Sequence, residues 1–213
     1  MTAPDPQLIN VEPAKQILVD GESPLFDRTG MHHKSFPSDF RQIRYFTLLV
    51  VQKAPLEFKE INLLEQQVSE LIKNAVKHGN RSDPKKTVEV WFSYDDDRAR
   101  LVVQDEGSGF QDIEKWNLFN RSRTECFRNQ DFERMAQYVS FTTASSDEHD
   151  SGNALFAALE YWDGGVVLDG QQEAADGHRL TEEPSLGIAH TTLEQEASLD
   201  FGFDAFGNHF EIE

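Results

Sequence analysis

Between Glu60 and His78 the apolar residues recur at helical spacing, and neither Pro nor Gly interrupts them. Leu64, Val68, Leu71, Ile72 and Ala75 fall on one stripe, the pattern of a helix that packs one face on other elements. Glu70, Asn74 and His78 are four apart. At roughly 3.6 residues per turn they stack along one line beside the stripe. Such a helix turns a polar edge toward a cleft. Gly79 is expected to end it in the left-handed conformation.

A second pattern follows. Thr87 to Tyr94 alternates, with Val88, Val90, Phe92 and Tyr94 on one face of a strand. Asp95-Asp96-Asp97 reads as a turn, and Leu101-Val102-Val103 resumes a strand. Asp105-Glu106-Gly107-Ser108-Gly109-Phe110 comes at its end. Each half has an ordinary reading: an amphipathic helix with a polar rim, and a glycine-rich hairpin exit with Asp as turn former. The two in this order, on helix and then strand, point to a ligand site.

Together the segments Glu70–Asn80 and Asp105–Phe110 resemble the first two nucleotide-binding boxes of the GHKL (Bergerat-fold) ATPase superfamily. That group includes gyrase, histidine kinases and anti-sigma-factor serine kinases. The resemblance implies an α/β two-layer sandwich: a mixed, mostly antiparallel sheet with helices on one face, and ATP with Mg²⁺ between helices and lid. It implies Glu70 as catalytic base, Asn74 as Mg²⁺ ligand and Asp105 as acceptor of the adenine amino group. The chemistry suits these roles. Mg²⁺ prefers oxygen ligands and keeps waters when it holds phosphates, and an amide oxygen adds no charge. A carboxylate one turn back can orient or deprotonate a nucleophile. A carboxylate pairs with the adenine amine and repels the guanine carbonyl. Gly107 and Gly109 let the backbone approach the base.

The superfamily's third box is matched by Ser151-Gly152-Asn153-Ala154-Leu155-Phe156. Gly152, Ala154 and Leu155 are its candidate nucleotide contacts, at the start of a helix whose N–H groups suit phosphate. Ala154 stands where the superfamily carries its second glycine. The helix is expected to end at Tyr161–Gly165, with Val166-Val167-Leu168 as a strand. The intervening lid, about residues 111–150, repeats Phe132, Met135, Ala136 and Val139 at helical spacing. It carries Arg121, Arg123, Arg128 and Arg134. Guanidinium suits bidentate phosphate contact, although surface balance of local acids is the plainer reading of each.

Upstream, Phe40 to Leu49 reads as another helix leading through Leu56–Glu60 into the first-box helix. This order resembles the anti-sigma-factor serine/threonine kinases of bacterial partner-switching systems. The resemblance implies a kinase that phosphorylates a small anti-anti-sigma protein and sequesters a sigma factor as a homodimer. A nucleotide-binding regulator with little kinase activity is the alternative, favoured by Ala154. A sensor histidine kinase carries a long helical hairpin with a phosphorylatable His ahead of this domain, and the residues before Phe36 are too few to be expected to form one. His32-His33, between Gly30 and Pro37, reads as a loop.

Composition narrows the partners. The formal charge of −18 opposes direct nucleic-acid binding and suits a basic protein partner. No apolar run is long enough to span a membrane, and no signal-peptide pattern opens the chain. One cysteine, Cys126, excludes an internal disulfide and fits an expected cytoplasmic location. Three regions are expected: an irregular Pro-rich lead over 1–35, the ATPase domain over 36–170, and an acidic, aromatic extension over 171–213. The extension holds ten acids against one Arg, Arg179. Leu199, Phe201, Phe203, Phe210 and Ile212 alternate around the turn signal Gly207-Asn208, and Ile188–Leu193 suggests a further strand. Added strands are the reading preferred over a segment that orders only on a partner.

Overall fold

A computed structural model describes residues 14–56, 58, 60–95, 98–110, 112–142, 153–162 and 164–169, and the backbone of 185–189. The helices are α1 (Ile43–Val51), α2 (Ile61–Asn74), α3 (Ile113–Arg128), α4 (Phe132–Met135) and α5 (Ala154–Tyr161). The strands are β1 (Ile17–Val19), β2 (His32–Pro37), β3 (Thr87–Tyr94), β4 (Ala99–Gln104), β5 (Val166–Leu168) and β6 (Ser185–Ala189). They form one six-stranded sheet in the order β1-β5-β6-β4-β3-β2. Only β1 and β5 pair in parallel; every other neighbour is antiparallel. This is the mixed, mostly antiparallel sandwich that the two boxes imply.

The pleat sorts side chains between the two faces. Val88, Val90 and Phe92 of β3 and Leu101 and Val103 of β4 join one buried cluster with Phe46, Val50, Leu64, Val68, Leu71, Ile72 and Leu159. Helices α1, α2 and α5 therefore cover that face. Trp116 of α3 enters the same cluster and stacks on Phe156 at 4.7 Å. The apolar stripe read on the first-box helix is thus its buried face. The helix expected near Phe40 is a short 3-10 turn followed by α1.

The other face is covered by chain. β1 and β2 occupy opposite edges of the sheet, so the connection between them crosses its full width. Five interstrand spacings of about 4.8 Å come to roughly 24 Å. Residues 20–31 make the crossing with a 3-10 turn at Pro24–Phe26 that lies against β6. Arg100 Nη2 donates to the Asp27 carbonyl at 2.8 Å, and the Arg28 guanidinium lies 3.7 Å from the Trp91 ring centre. Burial there lowers the Arg28 pKa against the opposing pull of Asp169 and Glu89. Val102 and Val167, which alternate away from the helix layer, are buried as well.

Several expectations are corrected. His32 and His33 belong to β2 and not to a loop. Cross-strand contacts account for this: the His33 ring stacks on Trp91 at 4.7 Å, and its Nε2 lies 2.5 Å from a Glu89 carboxylate oxygen. Pro37 ends the strand at the sheet's edge, where a missing N–H is tolerated. Ile17–Val19 adds a strand to the stretch read as irregular. The lid region opens with a sixteen-residue helix, α3, and the expected repeat at Phe132–Val139 yields only α4 and a 3-10 turn. There Phe132 and Val139 are exposed. A strand does follow position 170, but at Ser185–Ala189, between β4 and β5. His190–Leu193 and the alternating residues Leu199 to Ile212 lie outside the described residues.

The edge at β1 is closed by side chains. The Ile17 N–H donates to Asn117 Oδ1 and Asn117 Nδ2 donates to the Ile17 carbonyl, both at 2.9 Å. Asn120 Nδ2 donates to the Lys15 carbonyl at 2.9 Å. Asn117 thus takes the place that a neighbouring strand would fill. Asn117→Ala is expected to lower unfolding free energy by about 1–3 kcal/mol, for two lost bonds and two half-buried backbone groups left without them. Urea denaturation measures this, and an unchanged midpoint would show that the edge is held some other way.

Candidate functional site

The first-box helix does not end as a simple α-helix. After Asn74 the chain widens into a π turn over Ala75–Gly79, and the Asn80 N–H donates to the Ala75 carbonyl at 2.8 Å. Such turns recur at functional sites. Glu70 and Asn74 keep their four-residue spacing inside α2, half-buried. The wider turn carries His78 off that line, and it is exposed. Lys73 Nζ donates to the Glu70 carboxylate at 3.1 Å, with both side chains about one-third exposed (35% and 33%). Glu70 thus stands as a carboxylate with a cation beside it.

Gly79 serves a different purpose from the one expected. The described glycines with positive φ are Gly30, Gly109 and Gly165, so Gly79 is not a left-handed terminator. It leaves room. A Cβ there would collide with the Asp105 carboxylate. Gly107 is bare for the same reason: its Cβ would fall 2.5 Å from the Gly79 carbonyl oxygen and 2.8 Å from Asp105 Oδ1. The Gly107 N–H donates to Asp105 Oδ1 at 2.8 Å. The last residue of the first-box turn and the first and third residues of the second box are therefore packed on one another. Gly109, at φ +79°, is the glycine whose conformation is the requirement.

Three residues outside the expected set hold this contact. Asn80 is 1% exposed. Its Nδ2 donates to the Thr87 carbonyl, and its Oδ1 accepts from the Glu106 N–H, both at 2.7 Å. Lys86 Nζ donates to the Glu106 carbonyl at 2.7 Å. The Glu106 carboxylate accepts from the Thr87 N–H at 2.6 Å and from its hydroxyl at 3.0 Å. In sequence these residues look like turn formers and surface charge. Their only signal is position, at the ends of the two boxes.

The third box is partly described. Ala154 and Leu155 open α5, with Leu155 buried in the core and Ala154 half-buried. Gly152 lies outside the described residues. Helix α5 packs against α2, the helix that carries Glu70 and Asn74. Among the four arginines Arg123 stands apart. Its Nη1 donates to Asn153 Oδ1 at 3.1 Å, and its guanidinium lies 4.4 Å from the Phe156 ring centre. Burial lowers its pKa, while the Glu160 carboxylate opposes the shift. Arg121 and Arg128 instead line an open groove of about 330 Å³ with Ala14, Gln16 and Glu125. Arg134 is exposed beside Tyr138, and Cys126 is a buried thiol.

The steric reading of Gly79 is directly testable. Gly79→Ala puts a methyl where the Asp105 carboxylate lies and is expected to destabilise the fold by about 1–3 kcal/mol, as overpacking does. The double variant Gly79→Ala with Asp105→Gly should recover part of that loss, because the three atoms nearest the added methyl all belong to this side chain, although its bond to the Gly107 N–H is lost as well. Thermal or urea denaturation of the three proteins decides it. Equal stability of Gly79→Ala and wild type would refute the packing described.

A comparison with curated proteins finds no match. Among the described residues no helix is long and apolar enough to cross a membrane. A protein-family comparison does match, over residues 35–159, which hold Glu70, Asn74, Asp105 and the whole of the third box. The matched stretch is more than half of the chain and runs from the end of β2 into α5: this chain belongs to the histidine kinase-like ATPase domain family.

Proposed function

We propose that this chain binds ATP with Mg²⁺ and transfers phosphate to a serine or threonine of a protein partner, as an anti-sigma-type regulator in a bacterial partner-switching system. The observation that carries the nucleotide part is the cradle of Gly79, Asp105 and Gly107. It leaves a half-buried carboxylate at the end of β4 between two positions that admit no side chain. A carboxylate so placed fits a flat base with an exocyclic amine, since it is an acceptor only. Asn74 offers an amide oxygen to the metal, one helical turn from Glu70.

Bound ATP would supply the phosphoryl group. Glu70 is the residue assigned to accept the proton of the attacking hydroxyl, at a carboxylate oxygen. Lys73 Nζ lies 3.1 Å from that carboxylate. Ala154 and Leu155 present the start of α5, whose unpaired N–H groups suit phosphate oxygens. Arg123, through Asn153, fixes that start. The family's fold hosts several activities and does not by itself choose among them. One observation favours the second reading, a nucleotide-binding regulator with little transfer: the Cβ of Ala154 in the third box.

Transfer from labelled ATP to candidate partner proteins separates the two. Glu70→Gln is expected to keep nucleotide affinity and to slow transfer by roughly 10²- to 10⁴-fold, the loss typical of a missing general base. Asn74→Ala should lose the Mg²⁺-dependent part of the affinity. Transfer by Glu70→Gln at the wild-type rate would remove Glu70 from the role. ATP binding by the wild type with no transfer to any partner would favour the regulator.

A further inference from the structure

Glu106 lies between the two second-box residues that meet Gly79, and each of its polar groups is held. Its N–H donates to Asn80 at 2.7 Å, its carbonyl accepts from Lys86 at 2.7 Å, and its carboxylate is bound by Thr87. The Asp105 side chain is joined to the same segment, since the Gly107 N–H donates to its Oδ1 at 2.8 Å. The hold is maintained against strain. Arg81 and Ser82, directly after Asn80, both take positive φ, 57° and 55°. Such residues persist where their surroundings over-determine them, and they cluster at functional sites. Asn80 itself is buried and spends both ends of its amide, one on the first residue of β3 and one on Glu106 beyond the end of β4.

We propose that Asn80 and Lys86 are positioning residues for base discrimination. By clamping Glu106 they aim the Asp105 carboxylate at the amine of a bound adenine. The inference rests on the nucleotide reading above and goes beyond it, because neither side chain need touch the ligand. An amine-bearing purine gains a charged hydrogen bond only while the carboxylate points at it. A purine with a carbonyl at the same place gains none and is repelled. Loosening the clamp should therefore cost ATP affinity more than affinity for inosine triphosphate, which carries that carbonyl.

The test is calorimetric titration of ATP and of inosine triphosphate, each with Mg²⁺, into the full chain and into Asn80→Ala and Lys86→Gln. The wild type is expected to prefer ATP by about 10- to 100-fold, the range of one hydrogen bond to a charged group. Each variant should lower that ratio by about tenfold, chiefly by weakening ATP. Lys86→Gln keeps the test open if Asn80→Ala does not fold, since Lys86 is only half-buried. A merely structural role, or a direct contact of Lys86 with phosphate, would weaken both nucleotides together and keep the ratio, which would overturn the proposal. A wild type that prefers ATP, with variants that prefer it equally, would also overturn it. A wild type that binds neither nucleotide would instead remove the nucleotide reading beneath it.

Discussion

The Asp105 carboxylate lies where the side chain of residue 79 would be, and the site is organised around that contact. It joins the end of the helix layer to the end of the sheet, beside the Asn80 hydrogen bonds to Thr87 and Glu106. For the contact to exist, α2 must end in a π turn, Gly79 and Gly107 must lack side chains, and β4 must stop at Gln104. Asn80 then ties the turn to the start of β3 and to Glu106 of the second box. Ala75 and Val76 of the π turn belong to the hydrophobic core, whereas the two glycines add no side chain to it. Together they set the direction of one charged group. That is the form of preorganisation that makes a hydrogen bond selective, because an acceptor held in place cannot turn away from a wrong partner.

The remainder of the fold supplies rigidity to this end of the sheet. β4 is a central strand, flanked by β3 and β6, with Leu101, Val102 and Val103 buried on its two faces. One face is covered by α1, α2 and α5, and the other by the crossing chain between β1 and β2. The crossing serves in place of a second helix layer, and Arg28 on Trp91 and Arg100 on Asp27 fasten it. Helix α3 joins the two levels. Its Asn117 and Asn120 close the β1 edge, while its Arg123 holds the residue that precedes α5. A single helix thus bonds both to the N-terminal strand and to the third box.

Where local pattern and final environment agree, the sequence is readable. The alternation of Val88, Val90 and Phe92 marks β3 from Thr87 to Tyr94, and the stripe Leu64–Ala75 marks the buried face of α2. The two box motifs lead to the family and to the sandwich. Features set by tertiary contact are not readable in the same way. His32-His33 carries no strand pattern, and pairing with β3, where the two rings meet Phe92, Trp91 and Glu89, makes it one. Ile17–Val19 is three residues long and exists because β5 and Asn117 flank it. Gly79 was open to two uses of a missing Cβ, a positive φ or a close neighbour, and only the position of Asp105 decides between them. Asn80 and Lys86 look like any polar turn. Their importance lies in bonds to Thr87 and Glu106, which sequence spacing does not reveal.

The central claim is that Asp105, seated over Gly79, reads the base of a bound adenine nucleotide. The most direct measurement is a crystal structure of the full chain with Mg²⁺ and a non-hydrolysable ATP analogue. The account predicts the adenine amine at about 2.9 Å from an Asp105 carboxylate oxygen, the usual N–H···O separation, with Glu106 still held by Asn80 and Lys86. A nucleotide bound with its base away from Asp105, or with Asp105 turned out of the Gly79 seat, would contradict it.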